Sequence, residues 1–154
     1  MKNPVISLPK NPAVLLLGAS IALAIGGCAT TRIPAKPIIP YTLAAPSAQT
    51  ATLLGDQTEV KFYDNITAYA FAVDQQKVMA GRKSWNQPLY LTAGTHEVQV
   101  WCQQGGWKFT NIVKFEAQAG GSYKIGFSYN YNNQRNCKFW ISDTASNKPV
   151  SELV

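Results

Sequence analysis

From Ser122 to Tyr131 the chain alternates without a break. Tyr123, Ile125, Phe127, Tyr129 and Tyr131 fall on one side, and Ser122, Lys124, Gly126, Ser128 and Asn130 on the other. Successive side chains of an extended strand point to opposite faces, so this pattern gives one apolar and one wet face as a strand, whereas a helix would scatter the same residues around its cylinder. The period recurs on both sides of this stretch. Cys137, Phe139 and Ile141 oppose Lys138, Trp140 and Ser142, and His96, Val98, Val100 and Cys102 oppose Glu97, Gln99 and Trp101. Trp107, Phe109, Val113 and Phe115 alternate with Lys108, Thr110, Lys114 and Glu116, broken only at Asn111-Ile112, and the aromatic side reads as buried.

Shorter signals complete the pattern. Thr52–Leu54 ends at Gly55-Asp56. Glu59–Tyr63 and Ile66–Val73 flank Asp64-Asn65, with Tyr69, Phe71 and Val73 expected on one face. Asp74–Lys77 reads as a turn before Val78-Met79, and Ala93-Gly94 as a tight hairpin between Leu89–Thr92 and Thr95–Cys102. Gly105-Gly106, Gly120-Gly121, Asn132–Asn136 and Asn147–Pro149 punctuate the rest, and a short end strand follows at Val150-Ser151. Beyond the first 28 residues no ten-residue segment has helical periodicity. The expected fold is an all-β antiparallel sandwich of about seven to nine strands, with a small β-barrel as the competing closure.

The N-terminus follows a different rule. Lys2 and Lys10 precede a short apolar stretch, Ala13–Ile25, which leads into Gly26-Gly27-Cys28. Such a stretch, with such flanks, is an export signal rather than a spanning helix. Its end, Ile25-Gly26-Gly27-Cys28, resembles the lipobox of bacterial lipoprotein precursors. The resemblance implies removal of residues 1–27 and acylation of Cys28, the palmitate-type modification that would hold the chain on a membrane. Ala29, rather than an acidic residue, resembles the sorting pattern of lipoproteins sent to the outer membrane, facing the periplasm. Pro34, Pro37, Pro40 and Pro46 among small polar residues then make 28–49 an extended tether, with Ile38, Ile39 and Tyr41 able to pack on the domain, which spans 50–154.

Two of the 14 basic residues and none of the 8 acidic ones fall in the signal, which leaves a net charge of +4. That charge favours anionic surfaces, but the cations are spread singly, so no nucleic-acid patch is formed. Cys102 and Cys137 remain once Cys28 is assigned to lipid. In an oxidising compartment an even pair is read economically as a disulfide, with two buried thiols as the alternative.

His96 is the only histidine, which excludes every catalytic or metal arrangement that needs two. No nucleophile elbow, phosphate loop or calcium loop is present, and the carboxylates sit at turns or on polar faces. Nothing in the residues calls for a catalytic group, cofactor or metal ion. The aromatic residues are the better lead: Trp101 and Trp140 have polar neighbours on their strand faces, and Trp85 lies in the polar loop 81–88. Exposed aromatics over a polar rim suit stacking on sugar rings or anchoring a protein, whereas cover by another segment would make them purely structural.

Ala70-Phe71-Ala72-Val73-Asp74 and Leu89-Tyr90-Leu91-Thr92-Ala93-Gly94-Thr95-His96-Glu97-Val98-Gln99-Val100 are similar to PEGA-type, prealbumin-like modules of bacterial surface proteins. Gln75 and Ala93 depart from the glycine and proline of that motif. Ala119-Gly120-Gly121-Ser122-Tyr123 and Trp140-Ile141-Ser142-Asp143 also resemble the C-terminal half of small lipoproteins of this kind, so the resemblance covers about 75 residues, and it implies a β-sandwich without enzymatic activity. Two functions are compatible with these features. One is a membrane-anchored envelope lipoprotein that binds or scaffolds another envelope component, a protein or a polysaccharide. The other is a small inhibitor that inserts a loop, 81–88 or 130–136, into a hydrolase such as a lysozyme-type enzyme.

Overall fold

The computed structural model describes residues 38–79, 81–130 and 136–154. The signal, Cys28, residues 29–37 of the tether and Tyr131 lie outside the described residues. The described residues form β1 (Thr50–Leu54), β2 (Asp56–Thr58), β3 (Ile66–Val73), β4 (Gln76–Lys77), β5 (Leu89–Thr92), β6 (Gly94–Gln104), β7 (Trp107–Ala117), β8 (Ser122–Asn130) and β9 (Asn136–Asp143). One sheet has the order β5-β1-β8-β9; the other runs β2-β3-β6-β7, with β4 beside the end of β3. The sheets face each other as a sandwich and do not close into a barrel.

The long strands follow the alternation in the sequence. Val98, Val100 and Cys102 of β6, Val113, Phe115 and Ala117 of β7, Tyr123 and Ile125 of β8, and Phe139 and Ile141 of β9 are all buried. Burying a large apolar side chain of this kind stabilises by roughly 1.5–3 kcal/mol each, so the period-two pattern is the main local determinant of register. Cys102 and Cys137 form a disulfide that joins β6 of one sheet to β9 of the other.

Every strand pairing is antiparallel except β1 with β8, where Thr52, Leu53 and Leu54 run parallel to Ser122, Tyr123 and Lys124. Parallel neighbours need a long connection, and here it runs through the whole second sheet and through β5. The chain enters that sheet at Gly55. A side chain there would meet the Ala68 carbonyl oxygen at 2.4 Å and the Trp85 carbonyl oxygen at 2.8 Å, so only glycine lets β1 turn straight into β2.

Three local expectations are corrected by this topology. Glu59–Tyr63 is not a strand: the pairing with β3 is made earlier, by Asp56–Thr58, and Tyr63 N–H closes a turn on the Val60 carbonyl. Leu89–Thr92 and the strand after it are not a hairpin. β5 pairs with β1 and β6 with β3 and β7, so Ala93-Gly94 is a corner between sheets, with Gly94 at φ 131°. Tyr69, Phe71 and Val73 do not share a face, because the register slips between Ala70 and Ala72. This bulge leaves Tyr69 and Phe71 against Trp101 and turns Val73 into the core.

His96, buried, ties the corner to the β3–β4 turn. Its Nδ1 lies 2.7 Å from Asp74 Oδ2 and its Nε2 2.8 Å from the Thr92 carbonyl oxygen, both acceptors. The role is structural. Part of the tether is also built into the domain: Lys77 N–H donates to the Ile39 carbonyl, Tyr41 N–H to the Lys77 carbonyl, and Tyr41 Oη to the Tyr90 carbonyl.

Candidate functional site

The three tryptophans singled out by the alternation do not form one surface. Trp101 lies on the outer face of the β3–β6–β7 sheet, stacked on Phe71 with ring centroids 4.0 Å apart and planes 10° apart. Lys108 Nζ sits 5.1 Å from its ring centre, and Trp101 Nε1 is buried without a hydrogen-bond partner. Trp140 belongs to the other sheet. It pairs with Gly126, and its ring lies over that glycine so closely that a Cβ would come within 2.3 Å of Nε1. Trp85 follows the 3-10 turn Arg82–Ser84, accepts a hydrogen bond from Gly55 N–H at 2.7 Å, and helps line a small cavity of about 160 Å³ with Tyr41, Leu53, Val78 and Ile125. All three rings are half-buried and packed on their own neighbours.

The exposed aromatics gather elsewhere. Trp107, expected in the core, is 55% exposed, and Tyr63 and Phe62 are 76% and 99% exposed. The reason is strand length. The last rung between β3 and β6 pairs Thr67 with Gln103, so Gln104 and its β7 partner Trp107 extend past the sheet's flank. Burial falls along β8 in the same direction, from Tyr123 and Ile125 to half-buried Phe127 and Tyr129.

At this end Tyr63, Asp64, Gln104, Gly105, Gly106, Trp107 and Tyr129 line an open cleft of about 520 Å³. That volume falls in the range of small-ligand sites. The turn Gly105-Gly106 forms one wall. Gly105 has φ 52°, and a Cβ on it would stand 3.2 Å from Asp64 Oδ2, whereas a Cβ on Gly106 would meet nothing within 4 Å.

The cleft is held from both sheets. Gln104 Nε2 donates to the Asp64 carbonyl at 3.1 Å, and Gln103 donates through Nε2 to the Gly105 carbonyl at 3.3 Å and accepts through Oε1 from Tyr69 Oη at 3.2 Å. The loop that carries Phe62, Tyr63 and Asp64 is braced by Arg82, whose Nη2 donates to the Asn65 carbonyl at 2.9 Å. Gln57 Nε2, in turn, donates to buried Thr67 Oγ1 at 3.0 Å. Phe62 adopts φ 68° at the tip of this loop, a conformation non-glycine residues occupy only when the surroundings impose it. Across the cleft, Tyr129 packs edge-on against Phe109, with centroids 6.1 Å apart. The disulfide sits directly behind this contact, since Cys102 pairs with Phe109 and Cys137 with Tyr129. It therefore pins the two sheets together at the cleft.

Among the described residues that line the cleft Asp64 is the only ionisable carboxylate, and none is a lysine or arginine. Tyr69, beneath the turn, has its phenol pKa raised by burial, partly offset by the Arg82 charge, so it stays a neutral donor to Gln103. No group of three or more His, Cys, Asp or Glu among the described residues could hold a metal ion. What the arrangement offers is flat apolar rings beside a carboxylate, a primary amide and open backbone. Such groups are chemically suited to a ligand that has both an apolar face and hydroxyl or amide groups.

Trp107 carried a signal that was misread. The alternation puts it in line with Phe109, Val113 and Phe115, but it follows Gly105-Gly106 directly, and a residue next to a turn lies at the strand end where neighbours run out. No protein-family model, curated protein or solved structure matches the chain.

Proposed function

We propose that the protein is a lipid-anchored bacterial envelope lipoprotein whose β-sandwich is a non-catalytic binding module of the prealbumin-like kind. The observation that carries the reading is the aromatic cleft at Tyr63, Trp107 and Tyr129, built at one end of a domain and braced from both sheets. The apolar stretch and Ile25-Gly26-Gly27-Cys28 supply the anchor, and Ala29 favours the outer membrane, with the domain in the periplasm. One acyl chain holds a protein only marginally, so the several chains of the lipoprotein modification are what make the attachment stable. The partner is another envelope component that meets the cleft.

The reading as a loop-inserting inhibitor has less support. Of its two candidate loops, 81–88 is tied down by Arg82 and by the Gly55 bond to Trp85, and residues 131–135 lie outside the described residues. Envelope extract passed over the immobilised full chain tests the binding reading. Capture of a component that Tyr63→Ala and Trp107→Ala each abolish is the expected result; capture unaffected by both variants contradicts it. The anchor is tested separately by fatty-acid labelling, which Cys28→Ala should eliminate together with retention in the membrane fraction.

A further inference from the structure

We infer that the ligand of this cleft is an uncharged hexopyranose chain. This rests on the binding reading above and narrows it to one chemical class. A pyranose ring presents an apolar C–H face and an equatorial belt of hydroxyls, and it is bound where an aromatic face and hydrogen-bonding groups stand side by side. The cleft has both. Tyr63, from the loop before β3, and Trp107, at the start of β7, offer exposed rings, while the Asp64 carboxylate and the Gln104 amide, itself bonded to the Asp64 carbonyl, fix acceptors and donors beside them.

The charge of the lining sets the kind of sugar. Among the described residues of the wall Asp64 is the only charged side chain and none is a cation that would answer a uronate, sialate or phosphate, so this carboxylate disfavours acidic sugars and leaves neutral ones accepted. The size sets the length. About 520 Å³ open to solvent admits more than one ring, so an oligosaccharide fits better than a free monosaccharide. The Gly105-Gly106 turn supplies the room: Asp64 crowds the Cβ position of Gly105, but the space over Gly106 is empty. A flat ring can therefore approach the backbone there.

A protein segment is the competing occupant, and the cleft's makeup argues against it. Protein anchors seat in well-packed, desolvated pockets, whereas this site is wide, wet and interrupted by a carboxylate.

The test uses the full chain, purified in a detergent without a sugar headgroup, and titrates its tryptophan fluorescence with cellotetraose, maltotetraose and chitotetraose, with an oligogalacturonate as the acidic control. Saturable binding of at least one neutral tetrasaccharide is expected, with no binding of the acidic one. Trp107→Ala should weaken that binding about tenfold or more, and Gly106→Leu, which fills the cleft, should abolish it. Trp107→Phe should restore most of it. Melting curves of each variant, expected to match the wild type, separate loss of the site from loss of the fold. If no neutral tetrasaccharide binds while Trp107 still governs capture of an envelope protein, the saccharide inference is overturned and the binding reading stands. If neither sugar nor envelope component depends on Trp107, both fall. Binding of the acidic oligosaccharide in preference to the neutral ones also overturns the inference.

Discussion

Gly55 has no room for a side chain. Its missing Cβ is where the Ala68 and Trp85 carbonyl oxygens converge, and both are backbone atoms that cannot swing aside. Gly55→Ala should lower the stability by about 1–3 kcal/mol or more through overpacking, read as a fall in the denaturant midpoint at unchanged slope. Two tyrosines make a second residue-level statement. Burial raises the pKa of Tyr41 and Tyr69, helped at Tyr41 by the nearby charge of Asp74 and opposed at Tyr69 by that of Arg82. In the unfolded chain both ionise near 10.0, before the folded-state groups do. Their contribution is thus complete below pH 10 and is lost as the pH rises further, so the melting temperature should decline above that value, and Tyr69→Phe should soften the decline. Trp101 and Trp107 separate the two fates of an aromatic on a strand. Trp101→Ala removes a ring stacked between Phe71 and Lys108 and should cost about 3 kcal/mol, whereas Trp107→Ala removes an exposed ring and should leave the melting temperature nearly unchanged.

At the level of elements, the strands with the strongest alternation could be read directly. β6, β8 and β9 have the faces expected from their residues, since one buried face leaves only one register that keeps every apolar side chain dry. The connections could not be read in this way. Ala93-Gly94 has the residues of a hairpin turn and serves as a corner, because Leu89 and Leu91 find their partners on β1 rather than on β6. The bulge at Phe71 changes which face follows it, and nothing in Ala70-Phe71-Ala72 marks the slip. The site suffered from the same blindness: periodicity records which face a side chain is on, but not whether a neighbouring strand reaches that far. That is why the alternation marks Trp101 and Trp140 as an aromatic pair and places Trp107 in the core, although Trp107 pairs with Gln104, one rung beyond the last rung to β3. The pairing of Cys102 with Cys137 was legible from parity and compartment. Closing a loop of 35 residues, this disulfide should contribute roughly 3–4 kcal/mol in the chain-entropy model, so the Cys102→Ala, Cys137→Ala double variant should show a correspondingly lower denaturant midpoint. Because the bridge backs the Phe109–Tyr129 contact, the same variant should also bind its partner more weakly under conditions where it remains folded.

For the whole molecule, the proposed function separates an address from a reader. In that proposal the first 28 residues and the proline-rich tether give the address, and the sandwich from Ile39 onward presents the cleft. Nothing in the fold requires the cleft's aromatics to be exposed for stability, and the strained turn at Phe62, the double glycine and the disulfide all lie around that one end. The central claim is that this end, and not either outer sheet face, is where the partner binds. Oxidative footprinting of the four tryptophans tests it most directly, with the full chain labelled alone and again after envelope extract is added. The account predicts that Trp107 alone becomes protected, while Trp85, Trp101 and Trp140 keep the low reactivity of half-buried rings. Protection of Trp101 or Trp140 with Trp107 unchanged would contradict it.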